Sequence, residues 1–165
     1  MVKGFKVMIK GFVDKRICMP SVANTGDAGL DLKIAVKGPI RIRQHVVYKI
    51  PTSLYVEIPL GKCGIVLERS GLGSRGISIL GRVIDSPYRG QICVLLQRSA
   101  MFFCDLTREM STIEDLQEPE FKEGDKIAQM LILNHDEPLV EYVKTLDELT
   151  KTERGKKGFG SSDKK

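Results

Sequence analysis

Residues 77–96 read ISILGRVIDSPYRGQICVLL, and this stretch decides the fold. Two apolar runs, Ile77–Leu80 and Ile92–Leu96, flank a centre punctuated by Gly81, Pro87 and Gly90. That pattern predicts two strands of a hairpin with Asp85 and Tyr88 near its turn. A carboxylate at such a tip can polarise a water, and an aromatic ring there can pack against a sugar or base.

Outward from the hairpin the chain continues in short strands. KGFKVMIKGF at 3–12 puts Phe5, Val7 and Ile9 on one face with a period of two. Leu30, Leu32 and Ile34 alternate with Asp31, Lys33 and Ala35, after a loop from Met19 to Gly26. HVVYKIPTSLYVEIP at 45–59 supplies two strands broken at Pro51, and Cys63–Leu67 another. Short strands at close spacing, separated by Gly and Pro, indicate an all-β sandwich or barrel. Ser70 to Arg75 is expected to start a short helical turn with Ser70 as its cap. Leu139 to Leu149 reads equally as a helix or as a strand with a following turn.

The chain has 165 residues, enough for one domain with a single core. No apolar run approaches the length of a membrane span. The opening MVKGFKVMIKGF lacks an apolar block ahead of a small-residue cleavage site, so a cytoplasmic protein without a secretory signal is expected. Cys18, Cys63, Cys93 and Cys104 form no C-x-x-C pair, which argues against a zinc site. Cys63 and Cys93, inside apolar runs, are expected to be buried free thiols. His45 and His135 are isolated and receive no catalytic role. The net charge of +5 is concentrated at one end, because residues 151–165 hold six basic and two acidic groups. A nearly neutral body lacks the basic face that nucleic acid needs. A basic tail suits a small polyanion such as a nucleoside triphosphate.

Four further segments carry chemistry. RSGLGSRG at 69–76 offers a guanidinium, a hydroxyl and open backbone N–H groups, a combination suited to phosphate oxygens. It is not a P-loop, and Gly71, Gly73 and Gly76 match a dinucleotide fingerprint only in spacing, without the strand–helix–strand context. In AGLDL at 28–32, Asp31 sits in a strand among apolar residues and must be exposed or paired. In GDKIAQM at 124–130 a turn leads into a strand with Ile127, Gln129 and Leu131 on one face and Ala128 and Met130 on the other. RGKKGFGSS at 154–162 combines one ring with glycines, basic groups and hydroxyls, the composition of a mobile closing flap.

Together with GRVIDSPYRG at 81–90, these segments resemble, in order, the five motifs of the trimeric dUTP pyrophosphatase (dUTPase) family, from about Lys6 to Ser162. The resemblance implies a distorted jelly-roll β-barrel over 1–150, a flexible C-terminal flap at 151–165, and a homotrimer with active sites shared between subunits. A longer connector is compatible with a phage or viral member. The implied reaction is Mg2+-assisted hydrolysis of dUTP to dUMP and pyrophosphate. In it Asp85 acts as general base on a water that attacks the α-phosphorus. Arg69, Ser70, Gly71 and Gln129 place phosphates and water, and Asp31 reaches the metal through water. Tyr88 packs on the deoxyribose, and the hairpin backbone at Gly81, Val83 and Ile84 reads uracil. Arg154, Phe159, Gly160, Ser161 and Ser162 close the lid. The chain departs from the family in having Arg82 where a Gly is usual and Pro87 where a second acidic residue is common. Ser161 and Ser162 stand where the last motif ends in a Thr-containing form.

Two rivals are weighed. A dCTP deaminase, of related fold, needs a catalytic Glu on the strand after the hairpin, where this chain has Leu95. A regulatory role on a dUTPase scaffold is motivated by residues 98–121, a connector longer than the family's usual one. It mixes Phe102, Phe103 and Leu106 with six acidic residues and could dock another protein.

Overall fold

The computed structural model describes residues 8–99, 118–153 and 155. Within them eleven strands form four antiparallel sheets, so the all-β expectation holds. Of the strand expected over 3–12, Phe5 and Val7 lie outside the described residues. β1 spans Lys10–Val13 and pairs with β5 (Leu54–Glu57), and residues 1–7 lie outside the described chain.

The largest sheet has the order β2–β11–β6–β8. β2 is Leu30–Lys33, β11 is Lys126–Asn134, β6 is Lys62–Leu67 and β8 is Val83–Ile84. A second sheet has the order β4–β9–β7, from Val47–Pro51, Cys93–Arg98 and Ile77–Leu80. A ribbon of β3 (Ile40–Arg41) and β10 (Glu120–Phe121) completes the set. One buried core joins the two larger sheets: Leu32, Val66, Ile127 and Met130 come from the first, Ile50, Ile77, Ile79, Val94 and Leu96 from the second.

The expected hairpin forms, with Ile79 opposite Leu96 and Leu80 opposite Leu95. Its connection does not stay in that sheet. After Gly81, at φ +58°, Val83 and Ile84 cross to the other sheet and pair with Ile65 and Gly64 of β6. The tip is thereby fixed to both layers of the sandwich.

Several local expectations need correction. β4 runs through Pro51, and the break falls at Thr52–Ser53, where Ser53 has φ +56°. Thr52 is buried there and its hydroxyl donates to the Ile92 carbonyl at 2.7 Å, which satisfies a polar group that would otherwise destabilise the core. The helical turn α1 is Ser70–Gly73, but its N-cap is Arg69 and no side chain caps it. Residues 139–149 are neither one helix nor a strand: they are exposed, with a single 3-10 turn at Leu146–Glu148 held by a Thr145–Glu148 capping box. Cys63 and Cys93 are only half-buried. Among the described residues the fully buried thiol is Cys18, which donates to the Ile34 carbonyl and is pushed above the ordinary thiol pKa by burial. His45 is exposed and His135 half-buried at a strand end, the surface and strand-end placement expected of them.

Candidate active site

Two clusters carry the chemistry. The first lies across the four-stranded sheet, where one row aligns Asp31 of β2, Gln129 of β11 and Leu67 of β6. Asp31 is not the solvent-facing position that strand alternation allows. It is buried, with Lys126 Nζ at 2.6 Å from one carboxylate oxygen and Arg69 Nε at 3.2 Å from the other. A register shift between Lys126 and Ala128 lets the Lys126 ammonium turn back onto β2 while Ile127 and Ala128 are both buried. Two cations against one carboxylate leave this patch net positive, with Ser70 and Gly71 exposed beside it. Such an arrangement attracts phosphate oxygens.

Gln129 does not simply point to solvent either. Its Nε2 donates to the Glu68 carbonyl at 2.9 Å, immediately before Arg69. Gly29 makes room for it: a Cβ there would stand 2.7 Å from Gln129 Oε1 and 3.0 Å from Gln129 Cβ. Gly29→Ala is therefore expected to push Gln129 out of place and slow turnover by roughly 10- to 100-fold. The Gln129 Cβ belongs to a strand paired on both sides and cannot swing away as its amide can. Some loss of unfolding midpoint therefore accompanies this, and steady-state kinetics beside a thermal melt separate the two.

Among the described residues no three His, Cys, Asp or Glu side chains converge. Both Asp31 oxygens already face cations. The residues fit a Mg2+ whose inner ligands are phosphates and waters, with protein carboxylate at one remove, which is a usual way for this ion to be held.

The second cluster is a cavity of about 330 Å³ under the hairpin tip. Its lining includes Gly81, Val83, Ile84, Asp85, Tyr88 and Leu95. The volume lies at the small end of the roughly 300–1,000 Å³ typical of ligand sites. A larger hollow near Arg41 and Arg43 is polar and holds none of the expected site residues. Asp85 is exposed, and its carboxylate has no hydrogen-bond or ion-pair partner among the described residues. Its backbone carbonyl accepts from Tyr88 N at 3.1 Å, closing the turn through Ser86 and Pro87. Tyr88 is pinned by its hydroxyl, which donates to the Gln91 carbonyl at 3.0 Å, and its ring lies over Gly90, where a Cβ would come within 2.6 Å of Tyr88 Cζ. Leu95 stands in the wall, so the position a deaminase needs for its Glu is apolar.

The structure thus brings together Asp31, Arg69 and Gln129 in one place, with Ser70 and Gly71 beside them, and Gly81, Val83, Ile84, Asp85 and Tyr88 in another. Arg154, Phe159, Gly160, Ser161 and Ser162 lie outside the described residues, as does most of the 98–121 connector. Sequence reasoning missed Lys126 and Glu68. The available signals were the Lys beside Ile127 in GDKIAQM and an acidic residue placed directly before Arg69. Glu68 accepts from the Ile79 amide at 2.9 Å and pairs with Arg82. Burial alone would raise the Glu68 pKa, but the backbone amides and Arg82 outweigh it and hold the carboxyl below the ordinary range.

Comparison with known proteins gives one answer. The dUTPase family model matches residues 15–102. A curated relative, the deoxyuridine 5'-triphosphate nucleotidohydrolase of Orientia tsutsugamushi (strain Boryong), is 33% identical over 147 residues and is covered over 87% of each chain. Among solved structures, a point mutant of the Staphylococcus bacteriophage 80alpha dUTPase with dUpNHpp superposes with a TM-score of 0.74 at 24% identity, covering 95% of this chain and 99% of that one. A dUTPase from phage phi11 of S. aureus, described as coordinating a structural Mg(II) ion, gives 0.65 at 23% identity over 86% and 99%. No helix among the described residues is long and apolar enough to cross a membrane.

Proposed function

We propose that this chain, which belongs to the dUTPase family, hydrolyses dUTP to dUMP and pyrophosphate. The observation that carries the reading is the pairing of an unengaged carboxylate, Asp85, with a nucleoside-sized cavity walled by Tyr88 and the hairpin backbone. Asp85 takes the proton of a water that attacks the α-phosphorus in line, and pyrophosphate leaves. Arg69, Ser70 and Gly71 bind phosphate oxygens, Gln129 orients the water, and Lys126 adds charge to the same patch. When bound, Mg2+ would neutralise charge on the triphosphate, and Asp31 would help hold it through water. Backbone groups of Gly81, Val83 and Ile84 read uracil in a pocket too narrow for a thymine methyl.

The two clusters argue for a site made by more than one chain. Gln129 and Ile84 are separated by two strand spacings and three residues of β6, on the order of 14 Å. A homotrimer in which the phosphate cluster of one chain faces the nucleoside pocket of a neighbour brings the halves together. The tail at 151–165 then closes the site through Arg154, Phe159, Gly160, Ser161 and Ser162. The protein works in the cytoplasm, and the acidic and aromatic connector at 98–121, which otherwise reads as a surface excursion with a small satellite core, is a candidate docking element for another protein.

The decisive experiment is pyrophosphate release from a panel of dNTPs and UTP with Mg2+. Strong turnover of dUTP alone is expected; comparable turnover of dTTP or UTP, or none of dUTP, overturns the reading. Ammonia released from dCTP would favour the deaminase instead. Tyr88→Ala is expected to relax discrimination between dUTP and UTP by about tenfold in kcat/KM, because the ring no longer disfavours a 2'-hydroxyl. An unchanged ratio removes Tyr88 from sugar recognition.

A further inference from the structure

Ile79 lies in β7, the outer strand of its sheet among the described residues, opposite Leu96 of β9. Side chains satisfy both of its backbone groups. The amide donates to Glu68 Oε1 at 2.9 Å, and the carbonyl accepts from Arg82 Nε at 2.9 Å. Arg82 Nη2 closes the ring on the same Glu68 carboxylate. Two side chains therefore do for this edge what a paired strand would do.

The backbones of the same two residues tie further. The Glu68 carbonyl accepts from Gln129, and the Arg82 carbonyl accepts from Val66 N at 2.8 Å. A continuous set of bonds thus runs from Gln129 of the phosphate cluster, through Glu68, to Gly81 and Val83 at the lip of the nucleoside pocket. Arg82 occupies the position where the family's third motif usually has Gly, so this half of the tie is a departure of the chain from that pattern.

We propose that Glu68 and Arg82 are positioning residues: their clamp on Ile79 fixes the Gly81–Val83 lip and so sets the affinity for the deoxyuridine nucleotide. The proposal rests on the reading of the cavity as the dUTP site and deepens it. Neither side chain lines the cavity. Loss of the clamp should weaken binding in the ground and transition states alike, raising KM and sparing kcat.

The test uses full-length Glu68→Ala, Arg82→Ala and the double variant. Arg82 is largely at the surface, so its variant stays informative if loss of Glu68 impairs folding. Each single variant is expected to raise KM for dUTP about tenfold with kcat within about threefold of the unaltered protein. The double variant should be little worse than either single, since both break one unit. Hydrogen exchange at the Ile79 amide should quicken about tenfold or more. Arg82→Lys keeps the charge but lacks the Nε donor to Ile79, and should recover only part of the KM. A merely structural tie would lower the melting temperature and leave KM untouched. Unchanged KM in Arg82→Ala, or additive effects in the double variant, overturns the clamp alone. Absence of dUTP turnover by the unaltered protein overturns both the clamp and the functional reading.

Discussion

Asp85→Asn is expected to bind a non-hydrolysable dUTP analogue about as tightly as the unaltered chain and to turn over dUTP slower by a factor of roughly 10²–10⁴. The substitution keeps the shape of the side chain and removes only its ability to accept a proton. It disturbs no structural bond, because the Asp85 carboxylate has no partner among the described residues. The turn itself is held by the Asp85 carbonyl and Tyr88 N, which the substitution leaves in place. A folding defect is therefore not expected, and a thermal melt of the variant checks that. The measurement is calorimetric binding beside single-turnover hydrolysis. Near-normal turnover would show that another group activates the water, and equal losses in binding and rate would show that Asp85 holds substrate rather than a proton.

The hairpin was legible because its signal is local. Two apolar runs and three breakers within 77–96 specify strand, turn and strand without help from the rest of the chain. The crossing of Val83 and Ile84 to β6 was not legible. Two residues are too few to show a period, and their partners at Gly64 and Ile65 are chosen by packing between the sheets. The same limit applies to residues 139–149, where apolar positions suggest an element although Leu139, Tyr142 and Leu146 are exposed within this one chain. Apolar content reports what a segment can bury, and not whether a surface in the same chain receives it.

The phosphate cluster was half legible. Arg69, Ser70 and Gly71 announce themselves as a guanidinium and hydroxyl beside glycines. The environment of Asp31 did not, because its two cations come from positions 69 and 126, brought over by the β2–β11–β6 pairing. Strand alternation assigns a residue to a face but is silent on what covers that face. Arg82 is the instructive case. As a departure from Gly it suggests a disturbed hairpin, yet the added side chain binds Ile79 and Glu68 and holds the edge that Gly would leave open.

A chain ending at Glu153 and the Asp85→Asn chain are each expected to be nearly inactive, and to regain activity when assembled together. The first expectation comes from composition: residues 151–165 carry six basic and two acidic groups in a chain of net +5, with one aromatic ring among glycines. Removing most of them takes away the cationic flap that would exclude water from the triphosphate, at a cost of roughly 10²-fold or more in turnover. The second comes from the sheet register, which keeps the phosphate cluster and the nucleoside pocket of one chain apart. In a closed trimer with shared sites, Asp85 from a shortened chain can meet the tail of an Asp85→Asn chain. Random co-assembly of equal amounts then yields about one complete site in four. Co-refolded mixtures are compared with each parent by pyrophosphate release, with sizing chromatography to verify exchange. Turnover by the shortened chain alone removes the tail from the site. A silent mixture of verified hybrid trimers means that Asp85 and the tail of each site come from one chain, and closure of the pocket by a neighbour's tail must then be abandoned.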